Sequence, residues 1–561
     1  MRSLFAFTAF LLLAGAVSLT DCPAQDNETP KSSPEALTVY SDAASFQNNG
    51  EFALSAEEWE KFLKEFPKDP LAPKARHYAG VCYLQLKAYD KAADHFETVL
   101  KADPKFELAE DAFLNLGWCR YSIQAEDRTE TLTKAGEAFA ALVRQFPKGK
   151  YTDQALFYLG EALYALKKKP EAIGAYRKLV DDHPKSSLRS DALYALGVTY
   201  EEEQEYAEAG AIYDLFLKEF ADSALYTEVR MRKAETVLQA GDVEAAEKMF
   251  GEVAGVDGFV SADHAVFRQA YCAAKLEKLD EAGKLYAKLA TDFPESTYLS
   301  DAIISAGRSF YRANDFANAT TWFQKTIDAG RSDASEAAHW QCRIYLQNNE
   351  PAKAITLAQQ QIPKAGESTF LVNLELDEAD GLYAIPDRRE DSLAGYLKIV
   401  SKHGDHELAA QALYNAAFTA LEIGKYDDGL KHAAAFITKY SEDRFLPDTK
   451  YVAADCNLKL GKHEAAEAGY RDLLANHKEH AEYDSWRVRL GLVLYLQKKY
   501  EDAIAVLQET VKELKQPGQI AEGQFLLGAS QFQLEQFEAA AQSLIAAIAA
   551  EPKWRQADET L

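Results

Sequence analysis

The chain reads as an all-α protein built from about fourteen helical hairpins placed in series. Three observations carry that expectation. A small residue returns at nearly constant spacing: Ala43, Gly80, Gly117, Gly160, Gly197, Ala234, Ala270, Gly307, Cys342, Asp380, Ala417, Ala454, Gly491 and Gly528, with thirteen intervals of 35 to 43 residues, most of them 37. Asp380 is the one large member of that series. A second small residue follows twelve positions later in most units, as at Ala92, Ala172, Ala209, Ala319, Ala466 and Ala540. A closing phrase also recurs, "FPKGKYTDQALFYLG" from Phe146 returning as "HPKSSLRSDALYALG" and "FPESTYLSDAIISAG". Two markers in phase over this length define a repeat.

One unit shows why the repeat is a hairpin. In Ala155–Pro184 the first half carries Leu156, Leu159, Gly160 and Leu163 at helical spacing, and the second carries Ala172, Ile173, Tyr176, Leu179 and Val180. Lysines separate the two halves, so each is an amphipathic helix with a turn between. Gly160 and Ala172 are small where the two helices would cross. Pro184 stops the second helix, and Ser190 or Asp191 can cap the next. Such a unit cannot bury both faces alone, so neighbours must stack.

The elements follow in chain order. Residues 1–24 have the layout of a secretory signal peptide: Arg2, an apolar run from Leu4 to Leu19, then Asp21. Cleavage fits after Ala24, with Ala16 as the alternative. The 16-residue run is shorter than the roughly 20 residues of a spanning helix, so no integral span is expected. Cys22 raises lipid attachment and an outer-membrane form, but Asp21 before it and Pro23 after it argue against that. Residues 25–35 read as a flexible tether. Residues 36–366 are a first solenoid. Residues 367–405, where Asp380 takes the small position and Pro386 interrupts, are a degenerate repeat or a seam. Residues 406–552 are a second solenoid. Residues 553–561 begin a further helix that stops early, as in a chain that continues or a last hairpin left half covered. The 43-residue interval is assigned to a long loop, Ser122 to Ala135.

The pattern resembles the tetratricopeptide repeat. Leu159-Gly160, Ala172, Tyr176 and Pro184 fall where that family has its small and aromatic positions, and the likeness covers about Ala36 to Pro552. It implies a right-handed superhelical α-solenoid whose first helices line a concave groove. The units exceed the family's usual period of about 34 residues by roughly three. That lengthened joint is similar to the subtype found in periplasmic proteins, such as outer-membrane-assembly lipoproteins and the Tol-Pal-associated coordinator.

Composition narrows the function. The 561 residues are too many for one core, and 47% hydrophobic content with 17 prolines argues for a folded chain. A formal charge of −26 disfavours a nucleic-acid backbone as the ligand and keeps a large elongated surface soluble. Beyond the leader the five cysteines, Cys82, Cys119, Cys272, Cys342 and Cys456, all fall at or two residues past the repeating small position. They read as buried packing residues; neighbours of this kind lie about 8–10 Å apart, too far for a disulfide. His403 with His406, and His477 with His480, pair in the joints without a third ligand, so no metal site is expected. No nucleophile, phosphate-loop or zinc-protease motif occurs. Catalytic residues and cofactors are therefore expected to be none, and the chain is not expected to be an enzyme.

What remains is surface. In the resembled family the groove presents the residues three before, one after and four to five after the small position. Here the row three before includes Phe157, Tyr194 and Tyr414; the later rows include Glu201, Arg308, Tyr311 and Arg312. Arg232 joins them as the centre of the basic stretch "RMRK". These eight are the candidate partner-binding residues, for a protein or peptide partner. Packing between first helices, and ion pairing of the basic stretch to nearby glutamates, are the competing structural roles. The reading is an exported scaffold that mediates protein–protein interactions in the bacterial cell envelope. The alternatives are a recognition arm of a larger envelope enzyme or transport assembly, an outer-membrane-assembly or cell-division factor, and a carbohydrate-binding module.

Overall fold

The computed structural model describes residues 31–553. The leader, Cys22, the first part of the tether and residues 554–561 lie outside them. Among the described residues there are 28 α-helices, one short 3₁₀-helix and no strand. The helices pair into fourteen hairpins, from Pro34–Asn48 with Phe52–Glu65 to Pro517–Gln533 with Phe537–Ala550. The first helix begins inside the stretch read as a tether, where the Ser33 Oγ accepts the Ala36 N–H at 3.1 Å as an N-cap. No described helix is long and apolar enough to cross a membrane.

The recurring small residue is a seat for a side chain of the second helix, sixteen positions later in most hairpins and twenty-two after Gly117, where the insertion lies. Gly80 faces Phe96, whose ring lies 2.9 Å from where a Cβ would stand, and Gly117 faces Phe139 at 2.5 Å. Tyr176 and Tyr213 press still closer on Gly160 and Gly197, and Phe323 on Gly307. The glycines thus answer to large rings on the second helices rather than to backbone freedom. At Cys342 the balance reverses, and the residue sixteen on is Ala358. The second marker, as at Ala172 and Ala209, is fully buried in each case.

The turn inside each hairpin repeats as well. Seven residues past the seat the backbone is left-handed in twelve hairpins, at Gly50, Gly241, Gly424 and Gly461 but also at Lys87, Lys167, Gln204, Glu277, Asn314, Asn349, Lys498 and Glu535. This residue ends the first helix: the Lys167 N–H donates to the Tyr164 carbonyl and the next N–H reaches back to Leu163, both at 2.9 Å.

The two exceptions are the two breaks in rhythm. After Gly117 the linker is only residues 123–128, and the remaining insertion lengthens the second helix to Thr129–Gln145, so the long loop expected from Ser122 to Ala135 is mostly helix. At the second break the structure corrects the register. The seat is Ala379, not Asp380. The Ser392 Oγ donates to the Ala379 carbonyl at 2.8 Å, as the Ser55 Oγ does to that of Ala43 at 2.9 Å. A Cβ on Gly395 would meet that of Ala379 at 3.1 Å, as one on Gly469 would meet Ala454 at 2.9 Å. The extra residue sits in the turn. There Pro386, fixed near φ −65°, cannot be left-handed, and a 3₁₀ turn, Pro386–Arg388, takes over.

The chain divides into two compact units between Leu276 and Glu277. Residues 367–405 form the hairpin Leu371–Tyr383 with Arg389–Lys402 inside the second unit. In the first unit a continuous core runs through buried Phe96, Phe139, Tyr176, Leu193 and Tyr213. In the second, Tyr470, Trp486 and Leu507 anchor one cluster and Leu393, Tyr396 and Ile399 another.

Candidate functional site

The candidate residues all lie on first helices. The five described cysteines are free and buried. Burial pushes the Cys82 and Cys272 thiols up to about 11 and those of Cys119 and Cys456 to about 12, far from the range of a nucleophile. Of the joint histidines, the His403 Nε2 meets Glu375 at 3.0 Å, and His480 stacks on Trp486 at 4.6 Å. His406 Nδ1 and His480 Nδ1 accept backbone N–H groups two residues on. Among the described residues no group of three or more histidine, cysteine, aspartate or glutamate side chains could hold a metal ion.

The eight candidate residues separate on inspection. Phe157 is buried against Tyr158 and Tyr176 and belongs to the core. Tyr414 lies parallel on Phe445 at 5.0 Å, and burial raises its hydroxyl to about 12. Tyr311 packs on Trp340 at 5.0 Å. Arg308 is held by both oxygens of Glu336, and Arg312 by both of Glu277 at 2.9 and 2.7 Å. Much of the aromatic row is therefore packing, with His77, Leu114, Met231, Ile304 and Val488 also buried.

Tyr194, Glu201 and Arg232 are brought together. Arg232 donates to the Tyr194 hydroxyl at 3.1 Å, to Glu201 at 3.0 Å and to Glu228 at 3.0 Å, with its guanidinium 5.4 Å over the Tyr194 ring. The Tyr213 hydroxyl donates to the same Glu201 oxygen. The rest of the basic stretch is also paired, Arg230 to Glu252 and Lys233 to Asp214.

This cluster is one instance of a constellation that spacing did not reveal. A carboxylate stands one or four residues past the seat. The ring of the second helix that follows the seat lies beside it, and where that ring is a tyrosine it donates its hydroxyl. An arginine two residues before the next seat completes the set. Glu235 is gripped by both arms of Arg268 at 2.6 and 2.7 Å, with Arg268 5.9 Å over the Phe250 ring. Asp455 accepts from Tyr470 at 2.9 Å and shares its surroundings with Arg489. Asp380 accepts from Tyr396 at 2.7 Å and Asn415 at 3.5 Å, and the preceding repeat supplies Arg343 at 2.9 Å. Beside that last group the buried Asp377 carboxyl lies 2.6 Å from His339 Nδ1. The signal was present as charged residues at fixed offsets from the seat, but the partners lie up to 38 residues apart.

A chain in the structure of Naa15/Naa10 bound to HypK-THB aligns over 94% of this chain and 95% of its own length, at 13% identity and a TM-score of 0.35. A chain of the APC/C hetero-tetramer Cut9-Hcn1 aligns over 94% and 96%, at 12% identity and 0.33. A tetratricopeptide repeat protein from Parabacteroides merdae ATCC 43184 aligns over 49% of this chain and 99% of its own, at 13% identity and 0.30. No curated protein matches the sequence. Family models are more direct. One tetratricopeptide repeat model matches residues 42–105, 231–297 and 304–368, and a second matches 154–186 and 191–223. A tetratricopeptide repeat-like domain model matches 393–524. With well over half of its length matched and the small seat recurring through fourteen hairpins, this chain belongs to the tetratricopeptide repeat family.

Proposed function

We propose that the chain is an exported scaffold that assembles other proteins in the bacterial cell envelope, holding them along the face of its first helices. Tetratricopeptide repeats are protein–protein interaction scaffolds, and the family is typically non-catalytic. The observation that carries the reading onto this face is the pairing of half-buried tyrosines with charged side chains on consecutive first helices, as at Tyr194, Glu201 and Arg232. Such a surface offers aromatic contact area with polar anchors, the composition that favours recognition of a peptide or protein segment. Export is supported by the leader-like residues 1–24 and by the lengthened joint.

The test is affinity capture with the mature chain from envelope extracts, beside fractionation of cells that express the full chain. The expected outcome is a small set of envelope proteins that co-purify, with the bait itself in the envelope fraction. Bait that stays in the cytoplasm, or capture that returns no envelope protein, would overturn the reading.

A further inference from the structure

The acid–tyrosine–arginine constellation is incomplete in one place. Glu161 stands one residue past the seat Gly160, as Glu235 and Asp455 stand past theirs, and the Tyr176 hydroxyl donates to it at 2.6 Å. Where other repeats carry Arg232, Arg268 and Arg489, two residues before the next seat, this repeat has Ala195, which is buried. Asp191 lies on the far side, six residues before the seat Gly197. At that position Glu228 holds Arg232 and Glu336 holds Arg308. Among the described residues neither Glu161 nor Asp191 has an ion-pair partner. Burial holds both carboxyls above the usual range, and the charge of Asp191 adds to the effect on Glu161.

The other wall is aromatic. Tyr121 and Tyr158 meet with ring centroids 6.2 Å apart, and both hydroxyls are raised first by burial and also by the charge of Glu161. Arg128 stands 5.3 Å over the Tyr121 ring but donates to the Tyr121 carbonyl and forms no ion pair with Glu161. Two carboxylates without an ion-pair partner, beside an alanine where homologous repeats place a guanidinium, form a socket whose chemistry the chain itself displays in filled form at Arg232.

We infer that the socket of Glu161, Asp191, Ala195, Tyr121 and Tyr158 takes an arginine side chain from a partner protein. The partner's guanidinium replaces the missing intramolecular one and donates to Glu161 and Asp191. The acidic balance of the whole chain favours the same kind of partner, a basic segment. The inference rests on the scaffold reading and specifies where and what the first-helix face grips.

The probe is acetyl-Gly-Gly-Arg-Gly-Gly-amide, followed by ligand-observed NMR against the full chain, beside the citrulline version of the same peptide. The arginine peptide is expected to bind, and the citrulline peptide about tenfold more weakly or worse. Glu161→Gln is expected to weaken the arginine peptide to the same degree. Ala195→Arg, which fills the socket from within, is expected to abolish binding; if that variant fails to fold, Asp191→Asn carries the test. No binding by the arginine peptide overturns the inference, as does equal binding by the citrulline peptide or by Ala195→Arg. Free arginine that binds more tightly than the peptide overturns the assignment to a protein side chain. Envelope partners recovered by the wild-type chain, alongside peptide binding unchanged in Ala195→Arg, would sink the socket and leave the scaffold standing.

Discussion

Glu161 holds a charge that its surroundings resist. Its carboxyl, held above the ordinary range by burial and by Asp191, keeps a proton in the folded chain at pH values where the unfolded chain has lost it. In that window the folded state binds more protons, so stability falls as pH rises through the raised value. Above the raised value both states are ionised and the full penalty is present; below the ordinary carboxylate range it vanishes. Glu161→Gln keeps an acceptor for the Tyr176 hydroxyl and removes the charge. The variant is expected to melt higher than wild type at pH 7, with the difference closing as pH is lowered toward 4. A melting temperature at or below wild type at pH 7 would show that the charge is compensated in the folded chain. A variant more stable yet weaker in binding is the expected mark of a site kept for function.

At the scale of one element, the hairpin turn places eight residues other than glycine in the left-handed region. That conformation costs a side-chain-bearing residue about 1 kcal/mol or more relative to glycine. Lys167→Gly is expected to stabilise its hairpin by up to about 1 kcal/mol, and Gly424→Ala to destabilise its own by a similar amount. Thermal melts of the two variants check both signs. The hairpins themselves were legible in the sequence, because the small seat, its partner twelve residues on and the closing proline each follow from helix geometry. The register at Ala379 was not. Spacing alone cannot say whether one extra residue lies in the preceding joint or in the turn, and only the contacts of Ser392 and Gly395 place it beside Pro386. The candidate site was legible in part. Tyr194, Glu201 and Arg232 do converge, whereas Phe157 is core and Tyr414 is covered by Phe445. A row at one offset alternates between packing and surface according to what the next repeat lays against it, and sequence offsets do not carry that information.

At the scale of the whole molecule, the cysteines serve as distributed reporters. Cys82, Cys119 and Cys272 are buried in the first unit, Cys342 and Cys456 in the second. Each of the five thiols is raised by burial, so each needs both exposure and deprotonation before it reacts. In the native chain a thiol-reactive disulfide at pH 8 is expected to modify at most Cys22 rapidly, with the other five reacting only as denaturant opens their hairpins. Rapid native-state reaction of any of the five would contradict the packing assigned to it. Because tetratricopeptide arrays gain stability repeat by repeat, the order in which the five react would map which hairpins open first.

Two kinds of contact recur along the chain, and they have different reach. The ring on its glycine closes within a single hairpin. The arginine that finds a carboxylate crosses to the hairpin next door. The first makes the hairpins that carry it interchangeable parts, each with its own fastening. The second gives them an address: a transplanted hairpin would seat its ring anywhere in the array, but would find its counter-charge only beside the neighbour it came with.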